Sequence, residues 1–211
     1  GIQTTSEGDE ALEGQDQVID GAHHHPRPAL VYAALLTTKS EAPAAIKALL
    51  AQINNDHASM PHEMVFRLHS DRGREFVNED VASFCREHGI HQTTTAGYDP
   101  NANPAEGTVG TLKRRCRYLL SGARLPSSWW GLGILAAAQL CRADAGLEAY
   151  PQINFGVRVM VVKEPSPPNA FVPRAEPATI FCPCSTVASG YWIYQNGQVK
   201  AKTNIQPQGI T

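Results

Sequence analysis

His69-Ser70-Asp71-Arg72-Gly73-Arg74-Glu75-Phe76 decides how this chain is read, together with the later stretch Tyr98-Asp99-Pro100-Asn101-Ala102-Asn103-Pro104-Ala105-Glu106. The first sets a carboxylate just past an apolar run, Met64, Val65, Phe66 and Leu68. The second sets another at the start of a basic helix. Carboxylates delivered this way by separate elements are a common construction for metal-dependent phosphoryl transfer. The pairing points to nucleic-acid chemistry.

Outward from these motifs the pattern alternates. Met64 to His69 reads as a strand that places Asp71 at its C-terminal end, where open α/β sheets bind their ligands. Before it, Leu30 to Thr37 is a continuous apolar run of strand length, expected to be a strand buried on both faces. Ser40 is expected to cap a helix with Ile46, Leu49, Leu50 and Ile53 on one stripe. Gln17 to Asp20 can form a short strand, broken by the His- and Pro-rich stretch from Gly21 to Pro28. After Asp71, Asn78 is the expected cap of a second helix, with Val81, Phe84 and Cys85 inward and Gly89 as its stop. Ile90 to Thr95 is strand-like.

Pro100 and Pro104 mark a loop, and a helix follows from about Ala105 to Leu120 with Val109, Leu112, Cys116, Leu119 and Leu120 facing the core. On that helix Lys113 and Arg117 return to the side of Glu106, so one face carries a carboxylate and two cations. Leu125 to Ser128 lead into an Ala-rich helix from Trp129 to about Ala145, in which Trp129 and Trp130 read as core anchors. Beyond Tyr150 short β-type runs (Val157 to Val162, Ala178 to Phe181, Tyr191 to Tyr194, Gln198 to Lys202) alternate with Pro- and Gly-rich turns, which suggests a small barrel-like β domain. The expected division is an acidic flexible segment over 1–16, an α/β core over 17–148 and the β domain over 151–211.

Composition agrees with a folded chain. Of 211 residues, 42% are hydrophobic and 18% charged, too apolar for wholesale disorder. The longest nearly uncharged apolar run, Trp129 to Cys141, falls short of the ~20 residues that span a bilayer. No basic-plus-apolar leader is visible, and five cysteines without framework spacing suggest a reducing compartment, hence the nucleus and cytoplasm. The net charge of −2 hides a segregation: residues 1–20 hold six acidic and no basic side chains, leaving 18 basic against 14 acidic over the rest. The basic excess gathers at Lys113, Arg114, Arg115, Arg117 and Arg124, a patch suited to phosphates. His23, His24 and His25 are adjacent in a Pro-rich loop and cannot converge on one ion. Cys182 and Cys184 lack a second ligand pair and read as ordinary thiols. Glu75 is expected to point away from Asp71 and to serve the start of the following helix.

The ordered motifs resemble the integrase region of Copia-type retrotransposon polyproteins. Family members carry S/T-D-x-G-x-E-F, matched at Ser70 to Phe76, then Y-x-P-x-x-N-G-x-x-E, approximated one residue short at Tyr98 to Glu106, then a basic helix. L-P-x-x-W-W-G is matched at Leu125 to Gly131, F-G-x-x-V at Phe155 to Val159, and P-R-A-x-x-x-x-F, with one residue more before the Phe, at Pro173 to Phe181. The resemblance covers roughly residues 30–211. It implies a ribonuclease-H-like mixed sheet flanked by helices, and a triad of two Asp and one Glu holding two Mg²⁺ or Mn²⁺ ions. It also implies 3′-end processing and strand transfer of DNA by a multimer. Carried over by position, Asp71 is the second ligand and Glu106 the third. Asp20, 51 residues before Asp71, is the candidate first. Only Gly21 to Ala29 then remain for a second strand and two turns, so either Asp20 is the ligand of a compressed sheet or the first strand is lost and the copy is a catalytically degenerate nucleic-acid-binding protein. Lys113, Arg114 and Arg117 are the expected DNA contacts. Departures from the family pattern stand at Arg74, Pro104 and Gly107.

Overall fold

The structure is a computed structural model and describes residues 30–58, 65–71, 73–94 and 105–207. Its elements are α1 (Ala42–Asp56), β1 (Arg67–Ser70), α2 (Glu79–Glu87), β2 (His91–Thr94), α3 (Ala105–Gly122), α4 (Trp130–Asp144), β3 (Arg158–Val162), β4 (Ala175–Pro183), β5 (Tyr191–Gln195), β6 (Gln198–Lys202) and β7 (Ile205–Pro207).

β1 and β2 pair in parallel, Arg67 opposite His91 through Ser70 opposite Thr94. A parallel pair needs a crossover, which α2 supplies. Asn78 caps α2 as expected, its side-chain oxygen accepting from the Val81 N–H at 2.9 Å, and Gly89 closes it at φ +66. Leu50, Val81, Cys85 and Ile90 form the core beneath this unit, joined by Ile46, Leu68 and Phe84. Lys47 bridges α1 to Asp80 of α2 at 2.7 Å.

Three local expectations are corrected. Leu30 to Thr37 is not a strand: it makes no sheet pairing among the described residues, where the N-terminal sheet is the parallel pair β1-β2. The run is instead an extended strap. Val31 and Ala33 sink into a cluster with Leu112, Ala137, Ala138 and Cys141, and the Val31 carbonyl accepts from Arg142 at 2.6 Å. Leu30, Leu35 and Leu36 stay exposed, so only one side of the apolar run is used. Ser40 does not cap α1. A short 3₁₀ turn, Lys39–Glu41, precedes that helix, and the Ser40 hydroxyl is spent on Thr38 at 2.8 Å. On α3, Leu112, Cys116 and Leu120 are buried as expected, but Val109 is 43% exposed.

α3 and α4 pack closely because Gly133 leaves room for Cys116; a Cβ on Gly133 would lie 2.6 Å from the Cys116 sulfur. At the start of α4 the two tryptophans part. Trp129 stacks on Phe181 of β4 with ring centroids 5.0 Å apart, whereas Trp130, about 100° further round the helix, is 61% exposed and anchors nothing in the core. Among the described residues no helix is long and apolar enough to cross a membrane.

The C-terminal strands form a five-stranded antiparallel sheet in the order β6-β5-β4-β3-β7. Val159, Val161, Ala178, Ile180 and Ile193 fill its core. β6 and β7 lie on opposite edges, yet only Thr203 and Asn204 separate them. A trans chain spans at most ~3.8 Å per residue, so the two edges approach each other at that corner and the sheet curls. Phe181 and Cys182 of β4 pack on Leu132 and Ala136 of α4, which joins this sheet to the helical layer.

One link between α3 and α4 is electrostatic. Asp144 at the end of α4 pairs with Arg115 at 2.5 Å and accepts from the Tyr150 hydroxyl. The Tyr150 hydrogen bond and then Arg115 hold its carboxyl below the ordinary carboxylate range. A depressed folded pKa means that the unfolded chain takes up the proton first, so this contribution is complete above about pH 4 and is lost as pH falls through the folded value. The stability gap between wild type and Asp144→Asn, read from urea midpoints, therefore narrows as pH is lowered from about 7 to about 3. A gap that stays constant would show that the carboxylate contributes nothing there.

Candidate functional site

Asp71 follows the last residue of β1 and is exposed. Its position is fixed by a local turn: the Gly73 N–H donates to Asp71 Oδ1 at 3.0 Å, the Asx geometry that short acidic side chains favour. Phe76 and Val77 N–H both donate to the Gly73 carbonyl at 3.0 Å. Asn78 grips the same turn from below, its amide donating to the carbonyls of Arg74 at 3.2 Å and Glu75 at 2.9 Å while its oxygen caps α2. Gln92 of β2 ties down the Phe76 carbonyl at 2.7 Å, and His69 meets Thr93 at 2.9 Å across the strands.

This turn brings in a residue that the sequence pattern assigned elsewhere. A Cβ built on Gly73 would lie 3.0 Å from Asp71 Oδ1 and 3.0 Å from Glu75 Oε2. The two carboxylate oxygens thus flank one point and sit no more than about 6 Å apart. Glu75 turns toward Asp71 because β1 ends at Ser70, so strand alternation no longer governs its direction. The signal available in the sequence was Gly73 itself, which takes part in the turn that follows the strand.

Glu106 lies in the first turn of α3, exposed, where the positive end of the helix dipole favours a carboxylate. Lys113, Arg114 and Arg117 are all exposed on α3, and Arg115 is instead committed to Asp144. Asp20, His23, His24 and His25 lie outside the described residues, as do residues 95–104. Among the described residues no three His, Cys, Asp or Glu side chains group to hold a metal ion. Asp71 Oδ2 carries no hydrogen bond among the described residues. The five cysteines are free and buried, and burial pushes up the thiols of Cys85, Cys116, Cys141 and Cys182, that of Cys182 to about 12, so these four are poor nucleophiles and ligands.

Two clefts flank α4. One, about 620 Å³, opens between α3, α4 and the 150–157 segment. The other, about 750 Å³, lies on the strap side. In the second, polar groups satisfy one another: Arg142 binds Glu148 at 2.6 Å, and Tyr32 donates to Asp56 at 3.1 Å. Burial first, then that hydrogen bond to Asp56, pushes the Tyr32 hydroxyl up to about 12, so it stays protonated at neutral pH. Gln139 lines both clefts, and its buried Oε1 has no hydrogen-bond partner among the described residues.

No family model matches the chain. It is 35% identical over 75 residues to the retrovirus-related Pol polyprotein from transposon TNT 1-94 of Nicotiana tabacum, a stretch that takes in 35% of this chain and 6% of the polyprotein. Among solved structures, a chain of the simian T-cell lymphotropic virus intasome in complex with the PP2A regulatory subunit B56 gamma aligns at a TM-score of 0.35 and 16% identity. That alignment covers 82% of this chain and 65% of the other.

Proposed function

We propose that this chain is the core of a retrotransposon-type integrase, a DNA-binding polynucleotidyl transferase that trims and joins DNA 3′ ends. The observation that carries the reading is Asp71, held by its Asx turn at the C-terminal tip of a parallel strand; the chain also has 75 residues that align with a transposon Pol polyprotein. In the proposed division, 1–16 is an acidic lead-in and 17–148 a ribonuclease-H-like core. The 151–211 unit is a small barrel whose curled sheet assists DNA binding or assembly of protomers. The setting is the nucleus and cytoplasm.

The chemistry is substitution at phosphorus. In end processing a water oxygen attacks, the P–O3′ bond breaks, and the strand leaves with a free 3′-hydroxyl. In strand transfer that 3′-hydroxyl attacks a target phosphodiester, one P–O bond forms, and the target's own 3′-oxygen departs and takes up a proton. Magnesium or manganese ions, when bound, stabilise charge on the attacking and leaving oxygens. Hard oxygen donors suit such ions, and the unshared oxygen of Asp71 is one. With Asp71 as the second ligand, Glu106 is proposed as the third and Asp20 as the first. Lys113, Arg114 and Arg117 hold phosphates, giving affinity without base readout.

The test is a strand-transfer assay on labelled duplex ends with Mg²⁺ or Mn²⁺, beside DNA binding measured over a range of salt. Asp71→Asn and Glu106→Gln reduce joining to background and leave binding intact, while Lys113→Ala with Arg117→Ala weakens binding for all sequences and flattens its salt dependence. Joining that survives Asp71→Asn overturns the assignment. Wild-type binding without joining under either metal leaves the degenerate DNA-binding protein as the correct reading.

A further inference from the structure

The cleft between α3, α4 and the 150–157 segment has features that α3's basic face alone does not explain. Arg114, Tyr118 and Gly122 fall at spacings of four along α3, one stripe of the helix. That stripe starts at an exposed cation and ends at the cleft, which Tyr118 and Gly122 both line. Tyr118 is 69% exposed although it is a large aromatic residue with no packing role at that position. A Cβ on Gly122 would meet nothing within 4 Å, so the end of the helix is left bare. Tyr150, its hydroxyl held by Asp144, and Phe155 supply further aromatic lining.

Arg124 stands where the helix closes. Leu125 N–H donates to the Leu120 carbonyl at 2.9 Å and Arg124 N–H to the Ser121 carbonyl at 3.1 Å, the paired bonds of a Schellman close. That motif places its left-handed residue at Arg124, φ +53, a position usually filled by glycine. An arginine there is strained, and this exposed residue lines the cleft with no ion-pair partner among the described residues. Strain retained at a position that glycine would relieve points to use of the side chain. Gln139 lines the same cleft, and its buried Oε1 has no hydrogen-bond donor among the described residues. An unmet buried acceptor is costly, and a ligand N–H reaching it would remove that cost.

From these features we infer that the cleft receives one unstacked nucleobase of a nucleic-acid strand running along α3, with Arg124 taking the adjoining phosphate, the tyrosines offering ring faces and Gln139 accepting from a base amino group. This rests on the reading of α3 as a nucleic-acid face. A planar aromatic ligand with a donor edge and an anionic tail matches the lining in shape, polarity and charge.

The direct probe is 2′-deoxyadenosine 5′-monophosphate titrated into the whole chain, against 2-deoxyribose 5-phosphate and the purine deoxynucleotide that lacks the amino group. The expected order is clear binding, none, and weakened binding. Tyr118→Ala and Gly122→Leu, one removing a ring and the other filling open space, each weaken binding of the adenine nucleotide by about fivefold or more. Arg124→Gly weakens it while raising the unfolding midpoint, a combination that a purely structural arginine would not give. Equal binding of the sugar phosphate, or indifference to Gly122→Leu, overturns the inference, and the latter would move any Gln139 contact to the opposite cleft. A single-stranded oligonucleotide separates the two readings. Sensitivity to Lys113→Ala and Arg117→Ala with indifference to Gly122→Leu removes the base site alone, whereas indifference to all of them removes the α3 face as well.

Discussion

Replacing Gly156 with alanine lowers the unfolding free energy by roughly 2–5 kcal/mol, the sum of a left-handed backbone penalty and a steric clash. Gly156 sits at φ +79, and a Cβ there would lie 2.3 Å from the Ala123 Cβ and 3.5 Å from its Cα. The neighbour is a short side chain on the backbone just past α3, so it cannot swing aside. Gly156 cannot move away either, because its N–H donates to the Ile180 carbonyl of β4 at 2.7 Å and the Ile180 N–H donates to the Val157 carbonyl at 3.0 Å. Gly197 is the matched control: it shares φ +79, but a Cβ there meets nothing within 4 Å. Gly197→Ala should cost only about 1 kcal/mol, the conformational share. Urea titrations of the two variants check this, and equal losses would mean that the close approach to Ala123 carries no energy. Ala123→Gly combined with Gly156→Ala should recover the steric part alone.

Loss of Arg142 is the second large effect. Its guanidinium donates to Glu148 Oε1 at 2.6 Å and Oε2 at 3.3 Å, and to the Val31 carbonyl at 2.6 Å, and its Cζ lies 4.7 Å from the centre of the Tyr32 ring. The side chain is 13% exposed and its partner Glu148 32%. Breaking a mostly buried pair strands the remaining charge, so Arg142→Met should cost about 2–4 kcal/mol, somewhat less than a fully buried pair because Glu148 keeps some water. Arg142→Lys should recover little, since one ammonium cannot reproduce a planar fork that serves a carboxylate and a carbonyl together. Hydrogen exchange should rise first across residues 30–37, the strap that Arg142 pins to α4. A lysine variant with wild-type stability would show that charge alone, and not the fork, does the holding.

The sequence was most legible where local chemistry and packing agree. Asn78 followed by an amphipathic run and Gly89 forms the helix that this spelling predicts, and β3 to β6 fall within a few residues of their expected limits, whereas the three-residue β7 was not anticipated. Leu30 to Thr37 misled because a continuous apolar run states that burial is available, not which surface supplies it; side chains of α3 and α4 met the need, and the backbone took Arg142 in place of a ladder. Trp130 misled for a related reason, since one tryptophan on Phe181 was enough for that face of α4. The approach of Glu75 to Asp71 needed the strand's end to be known to the residue. The cleft beside α3 was invisible because it is made by what Gly122 and the left-handed Arg124 leave open, and periodicity reports only what is filled.

Asn78 carries one side chain into two tasks, stopping the frayed end of α2 and clasping the carbonyls of the acidic turn. A lineage that no longer needed the reaction would still be under pressure to keep the helix soluble and folded, and in keeping it would preserve the turn. An intact Asp71 turn can therefore outlive the activity it once served, and since Asp71 Oδ1 is itself part of that turn, selection for chemistry should be sought first in Glu106.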